Sequence, residues 1–185
     1  MPCGCSKKGA SGLVRIGERM SAPPEEWGPA WWRTLHCLAA KLGGSGSALQ
    51  DAEEGRTFEF LITHLCDVLP CRECQGHCRD YLGVNRPAGW SELRGGALRA
   101  AAVGWLVDFH NAVNVRLGKE AVGVEEAAAM YEGCQLLKCE VDLLMETAVF
   151  GTKMLWVKMD NWKRWLRSLH QLRLLLGAAI VVAGS

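Results

Sequence analysis

Apolar residues recur at three- and four-residue spacing along most of this chain, the period of a helix face. Trp32, Leu35, Leu38, Ala39 and Leu42 form the first stripe, and Pro29 suits the first turn of the helix carrying it. Gly43-Gly44-Ser45-Gly46-Ser47 reads as a loop. A second helix fits Glu53 to Leu69, with Phe58, Leu61, Ile62, Leu65 and Val68 on one face, and Pro70 ends it. A third, short helix fits Cys71 to Leu82 and is broken by Asn85-Arg86-Pro87 and Gly89. A fourth fits Ala97 to Leu117, with Trp105, Leu106 and Phe109 among its inward positions and Gly118 as its C-terminal cap. A fifth starts near Glu125 and reaches Tyr131, with a break at Gly133. Further on, Leu155, Met159, Trp162, Leu166 and Leu169 mark an amphipathic helix. No segment alternates with the period of a strand, and no internal repeat is visible. The pattern predicts an all-α protein, an antiparallel bundle with short connections.

The two ends differ from the middle. Residues 1–22 are small, polar and basic and read as a flexible arm, without the apolar run of a secretory signal. Residues 140–185 read as a basic amphipathic extension. From 151 onward, Lys153, Lys158, Lys163, Arg164, Arg167 and Arg173 stand against Asp160 alone, a net charge of +5. The apolar run Leu174 to Ala183 is half the length of a membrane span, which needs about twenty residues. It reads as a helix end packed on the domain, with shallow membrane or partner contact as the alternative. That leaves residues 23–139 as the central domain. The whole chain, 185 residues with a net charge of +1, carries no excess of positive charge, so nucleic acid is not an expected partner.

Composition adds nine cysteines and eight tryptophans. An odd count leaves at least one thiol unpaired within the chain. At this density, in a chain able to bury a core, cysteine is expected to do chemistry or bind metal rather than to staple the fold. The densest segment is Pro70-Cys71-Arg72-Glu73-Cys74-Gln75-Gly76-His77-Cys78. A C-x-x-C at a helix start brings two sulfurs within bonding range, and the helix N-terminus stabilises a thiolate. Cys71 and Cys74 thus read as a reversible dithiol/disulfide. Zinc held by Cys71, Cys74, His77 and Cys78 is the rival, although four ligands from two turns would distort the helix. A structural disulfide is the third reading. Cys3-Gly4-Cys5 on the arm is a candidate shuttle between a buried site and an outside substrate, or else a pair of surface thiols or part of a metal site. Cys37, Cys66 and Cys78 fall on helix faces as apolar fillers. Cys134 and Cys139 are five apart, so a bond between them needs the break at Gly133.

Trp32 and His36 lie one helical turn apart, as do His110 and Asn114 on the fourth helix. Two helices thereby offer an indole plane, two imidazoles and an amide to something flat and polar. Each histidine taken alone reads better as a satisfied core residue; the combination with the C-x-x-C shifts the balance. A dithiol that turns over also needs a two-electron acceptor, which no protein side chain provides, so a flavin is the natural candidate.

Three blocks in order resemble the signature blocks of the Erv/ALR sulfhydryl oxidases: Trp27-Gly28-Pro29-Ala30-Trp31-Trp32-Arg33-Thr34-Leu35-His36, Pro70-Cys71-Arg72-Glu73-Cys74, and His110-Asn111-Ala112-Val113-Asn114-Val115-Arg116-Leu117-Gly118-Lys119. The first is similar to the form carried by large cytoplasmic DNA viruses. The resemblance covers about Glu26 to Tyr131. It implies a four-helix bundle with a short fifth helix that binds FAD noncovalently and forms a homodimer. It implies that Cys74 lies against the flavin and that Cys71 exchanges with substrate. It assigns flavin contacts to Gly28, Trp32 and His36 and the adenine end to His110, Asn111, Val113, Asn114 and Lys119. No metal is implied. Cys3 and Cys5 take the place of the family's mobile second dithiol. The long-range structural disulfide of some cellular members has no clear counterpart, with Cys134 and Cys139 badly placed for it.

The resulting expectation is a FAD-dependent thiol oxidase that forms disulfides in protein thiols and reduces O2 to H2O2. Its substrate would be a thioredoxin-like carrier or a virion protein. Its setting would be the host cytoplasm or the virion, or the mitochondrial intermembrane space if the protein is cellular.

Overall fold

A computed structural model describes residues 23–182. Seven α-helices carry most of it: α1 (Pro24–Ala39), α2 (Ala48–Thr63), α3 (Arg72–Val84), α4 (Gly95–Arg116), α5 (Val124–Tyr131), α6 (Lys138–Lys153) and α7 (Met159–Leu175). The expected all-α class holds. One addition is a two-residue parallel pairing of β1 (Leu136–Leu137) with β2 (Ile180–Val181), which ties the chain after α7 to the segment before α6. It is too short to leave an alternating pattern.

Helix boundaries moved for local reasons. The first helix begins at Pro24, not Pro29. Pro23 is extended, Pro24 needs no donor at the first helical position, and Glu25 and Glu26 favour the N-terminus. Pro29 therefore sits inside α1. The second helix starts earlier, because Ser47 caps it by accepting from the Gln50 N–H at 3.4 Å. It also stops earlier: Leu65–Asp67 forms a single 3₁₀ turn before Pro70. Gly118 follows α4 with φ +67°, the left-handed conformation expected of a cap.

α1 separates two environments. Trp27, Trp31, Leu35 and Leu38 point into the core. Trp31 packs on Trp165 of α7 at 5.4 Å between ring centroids, and its indole N–H donates to Thr147 Oγ1 of α6 at 3.1 Å. Trp32 lies on another face, half-buried, toward α4. The last two helices are thus built into the same core as the first four. Trp165 is fully buried and donates to the Leu61 carbonyl of α2 at 2.9 Å. The inward stripe of α7 is Trp162, Trp165, Leu169 and Leu172, rather than one running back to Leu155. Leu155 precedes the helix in the turn after α6, 85 % exposed, and Met159 is half exposed. The expected stripe carried one helical period across a turn that breaks it.

Cysteine also staples the fold, against expectation. Cys37 bonds Cys134, 97 residues away, and Cys66 bonds Cys78. Cys37, Cys66 and Cys78 are buried as anticipated, but in disulfides rather than as lone fillers. Cys134 reaches Cys37 because the chain turns at Gly133 (φ +65°) and is then held on α1. Arg33 does the holding, donating to the Gln135 carbonyl at 3.0 Å and pairing with the buried carboxylate of Glu140. A long-range disulfide is therefore present after all. Cys139 is disulfide-bonded as well.

Candidate functional site

The third disulfide, Cys71–Cys74, stands at the N-terminus of α3. Cys71 caps the helix: it is extended (φ −156°, ψ 119°), and its Sγ accepts the Cys74 N–H at 3.1 Å. Both sulfurs sit in half-buried residues, unlike the buried Cys66–Cys78 bond beside them. A helix N-terminus with a free N–H aimed at sulfur favours a thiolate when the bond opens. Cys78 is committed to Cys66, so the four-ligand zinc set is dismantled. Among the described residues, no cluster of three or more metal-ligating side chains occurs.

α1, α4 and α5 assemble the flat layer. The Trp32 indole stacks on the His110 ring at 4.1 Å with 8° between planes. His36 stacks on Tyr131 at 4.6 Å and 5°. His36 Nε2 and His110 Nδ1 share one hydrogen bond at 3.1 Å, joining the two stacks. One hydrogen bond between two ring nitrogens requires at least the accepting ring to be neutral. Burial, and then the neighbouring His110, lower the His36 pKa to about 3. Burial, and then Lys119, lower that of His110 to about 4. At neutral pH both imidazoles are uncharged.

The layer continues toward α3. Phe109 packs edge-on against Trp32 at 5.3 Å and, tilted by 32°, against Tyr81 of α3 at 4.8 Å. Between α3 and α4 lies a cavity of about 320 Å³ whose lining includes His77, Tyr81, Phe109 and Val113, with the opposite charges of Asp80 and Arg116 both on it. His77 follows Cys74 by three residues, so this groove starts one turn along α3 from that cysteine. The end of α4 folds back on itself: the carbonyl of Asn114 accepts the N–H groups of Leu117 at 3.0 Å and Lys119 at 2.8 Å. Asn111 clasps Val122, donating to its carbonyl at 2.8 Å and accepting its N–H at 2.9 Å. Val113 is half-buried on the groove, and the side of α1 at Gly28 is open, with no atom within 4 Å of where a Cβ would stand. Parallel aromatic planes, uncharged ring nitrogens and the cations Arg116 and Lys119 suit a flat amide-bearing heterocycle with an anionic tail.

Trp32, His36 and His110 are in direct ring contact, Lys119 acts on His110 through its charge, and Cys71 is bonded to Cys74. Cys3 and Cys5 lie outside the described residues. Sequence reasoning missed Tyr131, Tyr81 and Arg116. Tyr131 carried a signal, an aromatic ring closing a short helix of small and acidic residues; the other two became legible once α3 and α4 were seen side by side.

A model of the Erv1 / Alr family matches residues 29–132. A putative FAD-linked sulfhydryl oxidase of Frog virus 3 is 29% identical over 132 residues, spanning 70% of this chain and 83% of the relative. Another, of Invertebrate iridescent virus 3, is 34% identical over 113 residues, spanning 60% of this chain and 70% of the relative. A FAD-linked sulfhydryl oxidase of Arabidopsis thaliana is 31% identical over 119 residues, 63% of this chain and 56% of the relative. No solved structure matches the chain.

Proposed function

The chain belongs to the Erv1 / Alr family, and from that premise we propose that Cys71 and Cys74 are the dithiol it turns over and that the Trp32–His36–His110 layer holds its FAD. The protein is a FAD-dependent thiol oxidase: thiols of its substrates become disulfides, and O2 is reduced to H2O2. The observation that carries the assignment is a half-buried disulfide at a helix N-terminus, one turn from a groove whose Phe109 packs on the Trp32–His110 stack.

The chemistry begins at sulfur. A substrate thiolate attacks Cys71 Sγ, a substrate–Cys71 bond forms, and Cys74 leaves as a thiolate. A second substrate thiolate attacks the substrate sulfur of that mixed disulfide. The product disulfide departs, and Cys71 is released as a thiolate facing the Cys74 N–H at 3.1 Å. The electron pair then resides in the reduced Cys71/Cys74 pair. Bound FAD supplies the acceptor for that pair and the route to oxygen.

The remaining residues bind and orient. Trp32 and His110 present parallel planes, and His36, held neutral, leaves no charge against the flat ligand. Lys119 and Arg116 place positive charge where a diphosphate is to be held. Asn111 fixes the loop that carries Lys119, Val113 and Asn114 shape the turn before it, and Gly28 leaves the approach along α1 open. His110→Ala is expected to abolish copurification of FAD while helix content stays unchanged; a fully yellow His110→Ala protein would remove the layer from the binding site.

Substrates are thiol-containing molecules. A thioredoxin-like carrier or a virion protein is the proposed physiological substrate, with Cys3 and Cys5 relaying electrons to Cys71. Cys3→Ser is expected to spare dithiothreitol oxidation and slow only protein substrates; equal loss on both would end the relay reading. A homodimer is the proposed assembly. The viral relatives are in keeping with work in the host cytoplasm or the virion; the plant relative is in keeping with a cellular setting, for which the mitochondrial intermembrane space is the proposed alternative. No helix among the described residues is long and apolar enough to cross a membrane. The basic C-terminal segment is proposed to make weak membrane contact.

A further inference from the structure

A polar side chain buried in the first turn of a helix is costly unless its groups are bonded. Gln75 is such a side chain, 5 % exposed, directly after Cys74. Its Nε2 donates to the Leu69 carbonyl at 2.9 Å and to the Trp156 carbonyl at 3.0 Å. Its Oε1 accepts from Arg79 at 3.4 Å, and its backbone N–H donates to the Cys71 carbonyl at 2.9 Å. One residue thus grips the chain at Cys71, two residues before it, and on the turn between α6 and α7. That turn is itself seated on the redox segment. A Cβ at Gly151 would stand 3.3 Å from Pro70 Cα and 2.9 Å from a Val157 methyl, so the two backbones meet there with no room between them. The turn closes by the N–H groups of Trp156 and Val157 on the Gly151 carbonyl, at 2.9 and 3.1 Å. Leu155 is held within it at φ +59°, a strained conformation that persists only where the surroundings impose it.

Resting on the assignment of Cys71 and Cys74 as the redox pair, we propose that Gln75 is the positioning residue of that pair and makes the α6–α7 turn, which lies beyond the family-matched residues, a working part of the redox site. Leu69-Pro70-Cys71 lies outside any helix, bent at Pro70 and extended at Cys71, and Pro70 has no N–H with which to anchor it. The Gln75 amide fixes its path and so keeps Cys71 Sγ on the Cys74 N–H. Without those donors Cys71 drifts from the helix N-terminus, its thiolate loses stabilisation, and the disulfide form is favoured over the dithiol.

The test uses the full FAD-loaded chain under anaerobic conditions, equilibrated in glutathione buffers and trapped by alkylation. Gln75→Leu is expected to lower the equilibrium constant for reducing Cys71–Cys74 about tenfold, the scale of one lost charge-assisted hydrogen bond. Cys66–Cys78 and Cys37–Cys134 should not shift, and they report an intact fold. Gln75→Glu adds a signature that a merely structural role lacks. Its neutral carboxyl can donate one hydrogen bond to a facing carbonyl; its carboxylate can donate none. Its dithiothreitol turnover relative to wild type should climb as pH falls, while that of Gln75→Leu stays flat. An unchanged equilibrium in Gln75→Leu, together with a pH-independent ratio in Gln75→Glu, overturns the proposal. If Gln75→Leu does not fold, the Gln75→Glu profile decides alone. Full turnover by Cys74→Ser would instead strike the assignment of the redox pair, a separate result.

Discussion

Cys71–Cys74 and Cys37–Cys134 are the same covalent bond in opposite surroundings. Cys71–Cys74 spans three residues, is half-buried, and has a helix N–H aimed at one of its sulfurs. Cys37–Cys134 spans 97 residues, with Cys37 fully buried in α1, Cys134 half-buried, and both sulfurs facing the Gln135 carbonyl at 3.8 and 3.7 Å. Loop entropy makes the long bond a strong staple and the short one a weak one, since stabilisation grows with the length of chain enclosed. On the proposed assignment the short bond is the reactive one, because a helix N–H faces its sulfur and stabilises a thiolate, whereas a carbonyl faces the sulfurs of the long bond. Cys66–Cys78 falls on the staple side of this division although its loop encloses the redox pair, because both its cysteines are buried. On that assignment, reactivity follows the group each sulfur faces, not the motif count.

The contrast is broken most directly by removing each bond in turn. Cys74→Ser should lower dithiothreitol turnover by more than about a thousandfold with almost no change in thermal midpoint; substantial turnover would dissolve the distinction. Cys37→Ala with Cys134→Ala should do the reverse, costing about 4.7 kcal/mol of unfolding free energy in denaturant titration while turnover survives wherever the protein is folded. Cys66→Ala with Cys78→Ala should cost less, about 3 kcal/mol, in keeping with a separation of 12 residues. If the two staple variants lost equal stability, loop length would not be what sets their strength.

A smaller effect concerns the histidine pair. His36 and His110 are neutral in the folded protein down to about pH 3 and 4. In the unfolded chain each binds a proton below about pH 6.5. Protonation then favours the unfolded state, so their contribution to stability is complete above pH 6.5 and is lost as pH falls toward their folded values. Thermal midpoints should decline over that window, and His110→Gln should decline less steeply. Parallel slopes would mean that other groups govern acid unfolding.

Much of this was legible along the chain. The period of α2 to α5, the C-x-x-C and the Trp32, His36 and His110 positions follow from spacing alone, because each is a local pattern. The disulfide partners are not local: connectivity cannot be deduced from cysteine positions, and Cys37 meets Cys134 only because Arg33 and Glu140 hold the returning chain on α1. The helix α6 was hidden by its mixture of acids, small residues and apolar positions, and with it the turn that breaks the stripe from Leu155 to Leu169. Gln75 was unremarkable in sequence, a polar residue between two cysteines. Its role depends on a carbonyl 81 residues away.

The central claim is that electrons enter at one half-buried sulfur pair and leave through bound FAD. Its most direct test is the blue absorption of the FAD-loaded protein after dithiothreitol is added without oxygen. The wild-type protein should bleach and recover its colour when air is admitted, with H2O2 appearing, while Cys74→Ser stays yellow throughout. Bleaching of Cys74→Ser at the wild-type rate, or a wild-type protein that keeps its colour, would contradict the account.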